Sequence, residues 1–150
     1  MASNDVPRFL THTEVLDSGC EVHIADETGF PGYEVLPTDD SRAGRGFSVA
    51  DGKSIPNKGQ AIPQFELDGE NGGTHDLRST FQIAKVSKPL RSVSMICDAG
   101  FDVLFTSTGA AVRDPKDGKT VCRYVRQGGF YVSEMRLKNP MHPSFGRQGH

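Results

Sequence analysis

Asp17, Ser18 and Gly19 close a short apolar stretch, Thr13-Glu14-Val15-Leu16, and are followed by Cys20. Apolar residues running straight into Asp-Ser-Gly predict a buried strand that ends by presenting one carboxylate on a tight turn. Such a carboxylate can activate water when a second lies against it. Two carboxyl groups about 3 Å apart cannot both ionise, so they share one proton and hold a water. Ser18 supplies a hydroxyl beside the carboxylate. Gly19 lets the turn pack closely and leaves backbone N–H groups to hold Asp17. The same three residue types also make ordinary surface turns, so the triplet needs support from the rest of the chain.

Other chemistry is less well supported. Cys20 and His23 have the spacing of a metal-ligand pair, with Cys97 or Cys122 as further ligands, but no second closely spaced pair accompanies them. His23 alternates with Val22 and Ile24 and is expected to face solvent from a strand. His12, His75, His142 and His150 are assigned to loops or tails. A nucleophilic role for Cys20 lacks a His-Asp partner at a supporting spacing. Asn71-Gly72-Gly73 leads into a strand rather than a helix and lacks a following Lys-Ser/Thr, which speaks against a phosphate cradle. No metal or other cofactor is expected.

The elements that must position Asp17 are strands. With 17 Gly and 9 Pro in 150 residues and no long helical period, the composition favours a mainly β domain with many turns. Arg8–Leu16 predicts one or two strands leading into Asp17, and Glu21–Ile24 another after it. Thr28–Asp40 reads as loop, extended by residues 42–46. Gly46–Ala50 and Lys53–Ile55 form a hairpin around Asp51-Gly52. Strands follow at Ala61–Leu67 and Leu77–Val86. The one helix lies within Lys88–Gly100, with Ser92 as N-cap, Val93, Ile96 and Cys97 on one face and Gly100 beyond its end. Phe101–Phe105, Ala110–Arg113, Thr120–Val125 and Gly129–Leu137 complete the strands, with a turn at Asp117-Gly118. Net charge is −2 with interleaved signs, so neither a nucleic-acid partner nor a membrane is expected. Three cysteines form no disulfide framework and are expected as reduced, mostly buried thiols. Without a signal segment or membrane-length apolar run, a soluble cytoplasmic product is expected.

The order of these parts resembles the retropepsin family, the dimeric aspartic proteases of retroviruses and retrotransposons. Val15-Leu16-Asp17-Ser18-Gly19-Cys20 resembles its active-site strand and loop, and residues 90–101, Leu-Arg-Ser-Val-Ser-Met-Ile-Cys-Asp-Ala-Gly-Phe, its second signature. The latter wording is similar to copia-type retrotransposon polyproteins, as are Val49–Lys53, Gly118-Lys119 and Gly129–Val132. The resemblance covers Val15 to Val132. It implies a retropepsin-like half-barrel with one short helix and an expected homodimer. Residues 9–106 would be the protease domain, preceded by a leader at 1–8 and followed by additional β hairpins at 107–138 and a flexible tail at 139–150. Asp17 would be the catalytic acid/base, Ser18 the bracing hydroxyl and Gly19 the hydrogen-bonding turn. Cys20, Glu21, Val49 and Leu90 would contact a peptide or polyprotein substrate. One triplet per chain requires Asp17 from each of two chains on a two-fold axis. The flap candidate is Gly44–Lys53.

Departures from the family pattern bear on activity. Cys20 stands where Ala is usual, Glu21 where Asp is usual and Ser92 where Gly is usual, and the Arg–carboxylate brace is either absent or supplied by Arg91. The flap carries no obvious Gly tip. The alternative is a catalytically inactive relative kept as a dimerisation or peptide-binding module.

Overall fold

The computed structural model describes residues 5–48 and 52–145. The chain is mainly β. Its longest strands are β1 (Phe9–Asp17) and β13 (Phe130–Lys138), which pair antiparallel from Phe9↔Lys138 to Val15↔Val132. On its other side β1 runs parallel to β9 (Leu90–Ser92), with Val15↔Leu90, Leu16↔Arg91 and Asp17↔Ser92 in register. β9 also pairs antiparallel with β2 (Ile24–Ala25) at Ile24↔Leu90. The strand before the Asp17 turn and the strand after it are thus held apart by a third, threaded between them.

The sheet continues past β2 through β8 (Phe81–Ile83) to β5 (Gly59–Ala61). Past β13 it continues through β12 (Thr120–Gln127) and β11 (Gly109–Arg113) to β10 (Asp102–Phe105). β6 (Gln64–Asp68) pairs with both β13 and β7 (Thr74–Arg78). A separate hairpin pairs β3 (Gly46–Ser48) with β4 (Ser54–Pro56), Phe47 opposite Ile55; its tip at 49–51 lies outside the described residues.

Several expected elements differ. The strand read at Ala61–Leu67 is two, β5 and β6, broken at Pro63, whose missing N–H cannot continue a ladder. Leu77–Val86 likewise divides between β7 and β8, which pair with different neighbours. Glu21–Ile24 contributes only the short β2. Among the described residues there are two α-helices rather than one, and a 3-10 turn at Glu27–Gly29. Helix α1 (Asp39–Arg42) forms where loop was expected, because Thr38 and Ser41 make a reciprocal capping box and Asp39 and Asp40 carry negative charge in its first turn. Helix α2 (Val93–Asp98) has Ser92 as N-cap, accepting the Met95 N–H, and Gly100 follows at φ 97°, a left-handed conformation that favours glycine. Met95, not Cys97, turns inward with Val93 and Ile96; Cys97 is exposed and Cys20 and Cys122 are only half-buried.

The core is built from Phe30, Phe65 and Phe81, whose rings meet at centroid distances of 4.9–6.4 Å, with Leu16, Ala25, Ile83 and Leu137 around them. Asn139–Phe145 lies against this body: Asn139 Nδ2–H donates to the Pro7 carbonyl at 2.9 Å, and Phe145 packs edge-on to Tyr33. Among the described residues no helix is long and apolar enough to cross a membrane.

Candidate active site

Asp17 is the last residue of β1, reached after three buried positions, Glu14, Val15 and Leu16. Its Oδ1 accepts the Gly19 N–H at 2.8 Å, closing the turn through the side chain itself. Gly19 is not in a left-handed conformation. What it provides is room, since a Cβ there would sit 3.3 Å from Asp17 Oδ1, tighter than ordinary contact. Ser18 is exposed beside it. Among the described residues no cation pairs with the Asp17 carboxylate.

The turn is anchored by β9. Ser92 Oγ donates to the Cys20 carbonyl at 2.6 Å, and the Ser92 N–H donates to His23 Nδ1 at 2.9 Å. The Cys20 thiol donates to the Val22 carbonyl at 2.9 Å, and burial raises its pKa. One serine therefore fixes both ends of the segment that follows Asp17 and caps α2 as well.

Asp17 and Ser18 open onto a groove of about 750 Å³, within the range of sites that hold sizeable ligands. Val15 and Leu90 form part of its floor, Ile55 of β4 reaches it from the separate hairpin, and Phe105 and Phe130 add aromatic wall. Lys88 Nζ stands 4.5 Å from the centre of the Phe130 ring, a cation over an aromatic face. Of the residues expected to contact substrate, Leu90 lines this groove; Cys20 and Glu21 do not, and Glu21 is exposed. Val49 lies outside the described residues.

Beneath the site is a buried charge network that sequence reading did not assemble. Glu14 is 0 % exposed and Arg91 4 %. Arg91 holds Glu14 in a two-pronged pair, Nε to Oε2 and Nη2 to Oε1, each 2.7 Å, while Nη1 donates to Ser79 Oγ at 2.6 Å. The Tyr124 hydroxyl donates to Glu14 Oε2, and His12 Nε2 lies 2.9 Å from Oε1. Burial pushes the Glu14 carboxyl up, but the Arg91 charge and the hydrogen bonds from His12 and Arg91 outweigh it and hold the pKa well below the usual range. Burial and the Glu14 charge drive Tyr124 well above its ordinary value. The carboxylate that Arg91 holds is Glu14; Glu21 is exposed. Because Leu16 is opposite Arg91 and Glu14 is two residues earlier on the same face, the pair welds β1 to β9 one step below Asp17.

Two histidines expected in solvent are buried. His12 is in β1, 3 % exposed, between Phe30 and Phe65. His23 is 7 % exposed, and burial lowers its pKa to about 4, so it is neutral at ordinary pH. The alternating pattern around His23 misled because the strand there is two residues long and packs against both α2 and β9. Among the described residues no three His, Cys, Asp or Glu side chains group as a metal site.

No protein-family model, curated protein or solved structure matches this chain.

Proposed function

We propose that the chain is one half of an aspartic endopeptidase, with a retropepsin-like half-barrel, whose catalytic pair forms when two copies bring their Asp17 carboxylates together. In this reading the two carboxyls share a proton and bind a water. The ionised one takes a proton from that water as it attacks a peptide carbonyl, and the protonated one donates to the carbonyl oxygen. Neither a metal nor a covalent intermediate is required. Ser18 braces the paired loops, the Gly19 N–H holds Asp17, and an extended polyprotein segment lies in the groove against Val15, Leu90 and Ile55.

The observation that carries this reading is a carboxylate with no cation partner among the described residues, lining an open groove, on a turn clamped by a threaded strand. A shared-proton pair needs that combination. A neighbouring cation would hold both carboxyls ionised, and a loose turn would not keep them in register. The Arg91–Glu14 pair supports it from below by fixing β1 against β9.

A second reading has its own support. Phe130 and Gly129, at the β12–β13 turn, share the groove with Asp17, so part of its space is taken by the chain itself. That favours an inactive dimerisation or peptide-binding module. Peptide cleavage between about pH 4 and 7, with and without pepstatin, separates the two. Pepstatin-sensitive cleavage that disappears in Asp17→Asn is the expected result; absence of cleavage by a folded, self-associated sample selects the binding module.

A further inference from the structure

A second cavity, of about 390 Å³, shares no lining residue with the Asp17 groove. It lies between α2, β7, β11 and β12, and its walls are largely apolar: Leu67, Met95, Ile96, Phe101, Val112 and Met135. The buried polar groups of its lining are almost all engaged; His75, Arg78 and Thr80, also in the lining, are half-buried or exposed. The three Arg91 nitrogens donate to Glu14 and Ser79, and the Tyr124 hydroxyl donates to Glu14. Burial pushes the Cys122 thiol up to about 11, so it is uncharged at ordinary pH.

His23 is the exception. It lines the cavity and is more than nine-tenths buried. Its Nδ1 accepts the Ser92 N–H, which fixes the neutral ring's proton on Nε2. Among the described residues Nε2–H has no protein partner, and it is not closed off from solvent. A donor held rigidly at the wall of an apolar chamber, with no acceptor of its own, is the arrangement by which small-molecule sites fix orientation.

We propose that this cavity is a binding site for a small, uncharged, mainly apolar molecule carrying one hydrogen-bond acceptor, which His23 Nε2–H engages. A charged group seated against Arg91 gains no partner, since Glu14 already neutralises it, and the other arginine of the lining, Arg78, is exposed to solvent. The site does not depend on the proteolytic reading.

The test is a titration of the full chain with acetophenone, which has one carbonyl acceptor, and with ethylbenzene, which lacks it, followed by two-dimensional proton–nitrogen spectra. Saturable shifts at Ile96, Val112 and the His23 ring are expected, with acetophenone bound about fivefold more tightly than ethylbenzene. Ile96→Trp fills the chamber and should abolish both. Met135→Phe gives an independent block should the first variant fail to fold. No saturable shift in a folded sample, or equal affinity for the two compounds, overturns the proposal.

Discussion

The residue on which the site's rigidity turns is Arg91, because its charge contributes more than that of His12 to holding a fully buried Glu14 ionised. Removing one partner of a buried pair leaves the other uncompensated, so Arg91→Leu should lower unfolding free energy by about 3–5 kcal/mol in urea denaturation. Acid sensitivity then has two distinct windows. His23 has a folded pKa near 4 against an ordinary 6.5, so the unfolded chain binds its proton first. Stability from this group is complete above pH 6.5 and is lost as the pH falls towards 4, on the order of 3 kcal/mol in all. Glu14, with its folded pKa depressed, contributes stability above about pH 4.5 that is lost as the pH falls further. Urea melts at pH 7, 5.5, 4 and 3 should show the first window vanish in His23→Gln, which keeps an acceptor for the Ser92 N–H, and the second shrink in Arg91→Leu. An unchanged pH profile in His23→Gln would remove His23 as the cause. The same profile matters for the cleavage assay, whose acid limb overlaps the loss of His23 stabilisation.

At the level of elements, what could be read in the sequence was local. Asp51-Gly52 and Asp117-Gly118 announced hairpins, and Ser92 and Gly100 bracketed α2, because a cap or a turn is decided within a few residues. The threaded strand was not legible. Leu90–Ser92 is three residues long, lies directly against α2 and carries no alternation, and its partner β1 is some 70 residues away. Glu14 did leave a trace, as a charged residue on the same strand face as Leu16, but only the fold shows that Arg91 faces it. Ser92 is where these scales meet, so Ser92→Ala is a sharp probe. It removes the cap of α2 and the bond to the Cys20 carbonyl together, for an expected loss of about 1–2 kcal/mol. Its amide shifts should concentrate at Gly19 and Cys20 as well as in the helix. Shifts confined to α2 would show that the Asp17 turn stands without this anchor.

Across the whole molecule, the pairing that seats the last long strand beside the first, from Phe9↔Lys138 onward, links residues that no local pattern could connect. It places the β12–β13 turn at the rim of the Asp17 groove, where Phe130 is 52 % exposed; Phe105 of β10, which also lines the groove, and Val125 of β12 are exposed as well. A chain with a single Asp-Ser-Gly triplet supplies one carboxylate, so the proteolytic reading is a statement about two molecules. Its consequence is a dominant effect of an inactive copy. When wild-type chain is equilibrated with a threefold excess of Asp17→Asn, most wild-type chains pair with a mutant, and cleavage per wild-type chain should fall to about one quarter for an isologous dimer. Specific activity should also fall on dilution, as the dimer dissociates. Cleavage per wild-type chain that is indifferent to both added mutant and dilution would mean that a single copy carries the activity, and Asp17 would then need a second carboxylate from within its own chain.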